Sequence, residues 1–207
     1  MTKNTVDSSF IGEFKVGDNI KFNTELLCDL YRLTDSQSEI SFRKAKIIFN
    51  VSLIDATYYD LSVRIRNHTR EFKYLSDDCR LAIRLSTAHR FTKLIEHFTS
   101  HSVFGEVTDY YQSVDKLREL RNRVHIQNKH GDFEANEEDA FTEKRLKFSE
   151  RITEYTLKYA SLNFPRDCKY VEDFELPWAP FYTADGNQLE ETPPWEQNFV
   201  TLEEAFG

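Results

Sequence analysis

The sequence predicts an all-α fold: a helical bundle of about five helices followed by an irregular, Pro- and Trp-rich acidic C-terminal segment. Three observations carry this. All five prolines and both tryptophans of the 207 residues lie after residue 163, and only four glycines precede that point. Proline breaks helices by removing a donor and clashing with the preceding turn, so a long stretch without it reads as helix. Within residues 1–163 the apolar positions recur at intervals of three and four, the period of a helix with one buried side. The boundary near Asn163 therefore divides a helical body, 1–163, from an extension, 164–207.

The elements follow in order. Gly12 and Gly17 give the start an irregular look that could hold a short hairpin. Leu26, Leu27, Leu30, Tyr31 and Leu33 suggest a first helix, and a long second one spans about Glu39 to Arg70, with Ile47, Val51, Ile54, Tyr58, Leu61 and Ile65 on its apolar side. A third helix is expected after a cap at Ser76 or Asp77, carrying Leu81, Leu85, Ala88, Phe91, Leu94, Ile95 and Phe98 inward. The fourth has Val107, Tyr110, Val114, Leu117, Leu120 and Val124 on one side, and Lys129, His130 and Gly131 mark its end. The fifth starts at Asn136 as an N-cap with three acids behind it, and Phe141, Phe148, Ile152, Tyr155, Tyr159 and Leu162 form a heptad-like seam.

Charge is unevenly distributed. From Phe164 onward there are ten acids against two bases, which accounts for the whole net charge of -8, while residues 1–163 balance 25 bases with 25 acids. Nine aromatic residues in the extension make it too apolar for a solvating tail. It is expected to wrap the bundle and bury Trp178, Phe181 and Trp195; the alternatives are that its carboxylates occupy the basic cleft near Arg118 and Arg121 and restrain an activity there, or that it docks a partner. Neither a signal peptide nor a membrane span is expected, and the three scattered cysteines (Cys28, Cys79, Cys168) suggest neither disulfide nor zinc site. A reducing, cytoplasmic setting follows as an expectation.

The stretch LRELRNRVHIQN, residues 117–128, is the candidate site. At 100° per residue Arg118, Arg121 and His125 project from one strip at the edge of the apolar face, with Asn122 alongside and Arg123 pointing away to solvent. Burying charge there requires a partner: an acid on a neighbouring helix, a second subunit or an anionic ligand. Arg64, Arg66, Asn67, His68 and Arg70 repeat the basic flavour at the end of the second helix, a solvated helix end or an RNA-backbone contact. His125 and His130 with Asp132 have no recognised zinc spacing, so no metal or other cofactor is expected.

Arg121-Asn122 followed shortly by His125 in a late bundle helix resembles the HEPN superfamily signature: an Arg, commonly followed by a polar residue, then four to six residues and a His. Six residues lie between Arg118 and His125 and three between Arg121 and His125, and the Arg-Asn pair ranks Arg121 first. The resemblance implies a metal-independent endoribonuclease of toxin-antitoxin, abortive-infection or antiviral defence type, its site formed where two copies of the motif meet in a homodimer. Arg121, His125 and Asn122 would be catalytic, with Arg118, Lys129 and Arg64 binding RNA and an antitoxin or defence-complex protein as a further partner. A histidine would move the proton of the RNA 2′-hydroxyl and a guanidinium would hold the phosphate oxygens. The Tyr that some family members carry two residues after the His is here Gln127. An inactive HEPN-like RNA- or protein-binding module, or a helical scaffold, is the alternative.

Overall fold

The computed structural model describes residues 3–34, 40–67, 72, 75–85, 90–123, 137–182 and 200–207. The chain is mostly helical, with eight α-helices among the described residues: α1 (Phe14–Thr34), α2 (Ile40–Asn67), α3 (Asp77–Leu85), α4 (Phe91–Ser100), α5 (Thr108–Asn122), α6 (Glu137–Ala140), α7 (Glu143–Asn163) and α8 (Leu202–Phe206). Strands β1 (Thr5–Val6) and β2 (Phe174–Glu175) pair antiparallel, tying the start of the chain to the extension. No helix among the described residues is long and apolar enough to cross a membrane.

Helices α2 and α7 form the centre. Ile47, Val51, Ile54, Tyr58, Leu61 and Ile65 on α2 are fully buried, as the sequence pattern expected, and Phe148, Ile152 and Tyr155 on α7 meet them in the same core. Tyr58 stacks with both Phe98 of α4 and Phe104, with ring centroids 4.8 and 5.0 Å away. Its hydroxyl reaches Tyr110 on α5, which in turn hydrogen-bonds Thr156 on α7. Aromatic faces at these spacings contribute beyond their buried area.

Several element boundaries depart from the sequence expectation. Gly12 and Gly17 form no hairpin: α1 begins at Phe14 and includes Gly17. A Cβ at Gly12 would lie 3.1 Å from the Arg64 side chain, a tight contact that glycine avoids. The inward face of α1 is Gly17, Ile20, Thr24 and Leu27, whereas Leu26 and Leu33 are exposed. The expected third helix is two, α3 and α4, since Arg90 is extended and caps α4. Leu81 and Leu85 consequently face solvent, and α3 packs through Cys79 and Ile83. The expected fifth helix is interrupted: Thr142 starts α7 afresh by accepting the Arg145 N–H. Leu162, on the last turn of α7, is exposed. The proposed cap Asn136 lies outside the described residues.

The extension from Phe164 packs into the same core. Phe174, Leu176, Trp178 and Tyr182 are buried, and Phe181 packs beside them; Trp195 lies outside the described residues. The organising group is Glu154 of α7, fully buried. One oxygen accepts from the Asn4 amide (2.7 Å) and the Trp178 indole (2.9 Å), the other from the backbone N–H groups of Phe181 and Tyr182 and from Lys158 (2.8 Å). A buried carboxylate is tolerable only when its lone pairs are met in this way. Arg145 plays the matching part for α8, donating to the carbonyls of Asp139, Ala140 and Ala205 with its guanidinium over the Phe206 ring.

Arg64 is not an RNA contact. It is buried at 2% exposure, donates to the carbonyls of Phe10, Phe164 and Pro165, and lies over the ring of Phe72. Next to it on α2, Asp60 accepts the Gly12 N–H at 2.7 Å and so satisfies a donor at the entry to α1.

Two predictions follow from these buried charges. Replacing Glu154 with Ala removes the acceptor shared by five donor groups and leaves the Trp178 indole and the Phe181 and Tyr182 N–H groups without it; it is expected to cost about 3 kcal/mol or more, read by urea denaturation, with protease cleavage appearing first in residues 174–182. Burial pushes the Asp60 carboxyl up to about 6. Its acid form is therefore favoured by folding, and that stabilisation is full below about pH 4 and lost as pH rises through about 6. Asp60→Asn should flatten the stability profile over this window by roughly 3 kcal/mol relative to the parent, measured by denaturant midpoints between these pH values.

Candidate functional site

Helix α5 presents the basic strip. Tyr110, Val114, Leu117 and Leu120, fully buried, fix its rotation against the core, and this leaves Arg118, Arg121 and Asn122 half-buried at the edge of that face. The rotation agrees with the phase read from the sequence. The helix closes at Arg123, whose N–H bonds back to the carbonyl of Leu120.

Each guanidinium of the strip meets a carboxylate of the same chain. Arg121 donates Nη1 to Oδ2 of Asp55 on α2 at 2.9 Å, both side chains being about a quarter to a third exposed (27% and 30%). The Arg121 guanidinium also lies 5.8 Å from the centre of the Phe91 ring at the start of α4. Arg118 donates Nε to Asp115 one turn earlier at 2.7 Å and sits 3.6 Å from Glu119. Arg123 is not solvated: its side chain is 17% exposed and lies 3.6 Å from Glu137, the first residue of α6, which also pairs with Lys44 of α2. His125 and Lys129 lie outside the described residues, as do His130 and Asp132.

Burial raises the Asp55 carboxyl above its usual range, and the hydrogen bond and charge of Arg121 pull in the opposite direction. The pair therefore holds Arg121 in one place at the junction of α2, α4 and α5 while part of its fork faces outward. Asp55 was legible in principle: it stands four residues after Val51 and three before Tyr58, an acid at the edge of an otherwise apolar helix face. Phe91 had no such signal, because its approach to Arg121 depends on where α4 packs.

Four of the described acids of the extension go elsewhere. Glu172 pairs with Lys21, Asp173 with Lys169 and the Ser8 N–H, Glu175 with Lys3, and Glu204 caps α8 through Thr201. Among the described residues no group of three or more His, Cys, Asp or Glu is placed to hold a metal ion. Elsewhere on α7, Glu150 is buried against the Tyr31 hydroxyl and Lys147, and burial pushes both the Tyr31 phenol and the Glu150 carboxyl upward. Comparisons with protein-family models, with curated proteins and with solved structures find no match to this chain.

The Arg121 pair has a measurable energy. A double-mutant cycle on Asp55→Asn and Arg121→Gln should give a coupling of about 1 kcal/mol, the partial exposure of both groups keeping it below that of a buried pair. Additive single effects in thermal or denaturant unfolding would show that the two residues act independently.

Proposed function

We propose that the chain is a metal-independent endoribonuclease of HEPN type, acting in toxin-antitoxin or anti-phage defence. The observation that supports this reading is the half-buried strip of α5, where Arg118, Arg121 and Asn122 are held at the surface edge with the chain running on three residues from Asn122 to His125. In this reading Arg121 binds the scissile phosphate, exchanging part of its contact with Asp55 for phosphate oxygens, and offsets the charge that develops on them. His125 takes the proton from the adjacent 2′-hydroxyl, whose oxygen attacks phosphorus as the 5′-oxygen leaves, giving a 2′,3′-cyclic phosphate. Asn122 orients the phosphate or the imidazole, and Arg118 and Lys129 track the backbone. Each chain carries one such set, so two sets meeting in a homodimer make the economical site.

A second reading, a helical module that binds RNA or protein without cutting, has its own observation: Arg121 and Arg118 each already have an acid within the same chain. The pairing neutralises the strip, and RNA-binding surfaces are usually basic.

Incubating the purified chain with labelled RNA in EDTA separates the two. Cleavage that leaves cyclic phosphate ends and falls by about a hundredfold or more in His125→Ala and Arg121→Ala supports the nuclease. RNA that stays intact, or equal cutting by the variants, removes it.

A further inference from the structure

The carboxylates of Glu154 and Asp55 are satisfied in different ways. Glu154 is shut off from solvent and takes five donor groups. Asp55, among the described residues, accepts one bond, from Nη1 of Arg121, and Arg121 donates no other. A guanidinium carries five N–H groups in a fixed fork, so most of this one is unspent at an edge where the side chain is partly exposed. The pair is a single-point contact, and opening it strands neither group in the core.

A fork with unspent donors at a helix edge suits an oxyanion, and a phosphodiester offers it two oxygens for two parallel bonds. Such an anion would stand beside the Asp55 carboxylate and be repelled by it. Other cations nearby are already engaged: Arg118 with Asp115 and Glu119, and Arg123 with Glu137. From α4 the approach is made by the uncharged ring of Phe91. On α2 the residues a turn to either side, Val51, Ser52, Tyr58 and Tyr59, bring no charge. Among the described residues Arg121 is the one charge that acts on Asp55. A phosphodiester and Asp55 therefore compete for one cation.

We infer that Asp55 is the resident anion of the Arg121 site and sets its affinity: a phosphodiester binds by displacing the Asp55 carboxylate from the guanidinium. This deepens the reading of Arg121 as the phosphate-binding group and does not require the cleavage step. The displaced carboxylate turns toward the solvent that already reaches it, so the exchange is reversible and local. Its size follows from the coupling anticipated for the pair, which corresponds to about fivefold in an equilibrium constant.

The test is fluorescence anisotropy with a labelled 2′-O-methyl oligouridylate, which carries phosphodiesters and has no free 2′-hydroxyl, so it is bound without being cut. Asp55→Asn, which keeps an acceptor for Arg121 and loses the charge, should bind this probe about fivefold tighter than the parent chain, and Asp55→Ala should bind it tighter as well. In an Arg121→Gln background Asp55→Asn should no longer tighten binding. A residue that only held Arg121 in place would give the opposite pattern, with Asn neutral and Ala weaker. Affinity unchanged or lowered in Asp55→Asn, tightening that persists without Arg121, or a probe that neither the parent nor Asp55→Asn binds would overturn the inference. The RNA assay in EDTA keeps the two claims apart: tighter binding with intact RNA removes the nuclease alone, and cleavage with binding indifferent to Asp55 removes the resident anion alone.

Discussion

Glu154 is the constraint on which the rest depends. It sits without solvent contact on α7, and its two oxygens collect donors from the start of the chain, from its own helix and from the extension. Taking a carboxylate out of water is costly unless its whole acceptor capacity is used, so the three segments are bound to one another by a single requirement. The β1–β2 pairing and the burial of Trp178 follow from where that requirement places residues 174–182. The described part of the acidic extension is thus joined to the core through Phe164, Phe174, Trp178 and Tyr182, while Glu175, Glu172 and Asp173 pair at the surface with Lys3, Lys21 and Lys169.

The same principle recurs in two arginines. Arg64 and Arg145 donate chiefly to main-chain carbonyls, and each lies on an aromatic ring. A guanidinium suits this use because it is planar and weakly hydrated and offers several donors in a fixed fork. At the α5 strip the arginines meet carboxylates in place of carbonyls, and they remain partly exposed. That difference separates an arginine enclosed by the fold from one that keeps part of its surface exposed.

Much of the helical framework was legible in the residues. The spacing from Ile47 to Ile65 placed α2, and the phase of Leu117 and Leu120 placed Arg118 and Arg121 at a half-buried edge. What could not be read depended on partners distant in the chain. The Arg64 donors reach carbonyls 54 and 100 residues away, and a carbonyl has no residue type to recognise. A solvated helix end and a buried staple are therefore written with the same letters. Leu26 and Leu33 failed for a related reason: periodicity marks an apolar side without saying which side the bundle will cover.

Arg64 also ties together parts of the chain made far apart in time. Its guanidinium is completed by the carbonyls of Phe164 and Pro165, which emerge from the ribosome about a hundred residues later. The guanidinium on the second helix is thus completed by main-chain groups from both ends of the helical body.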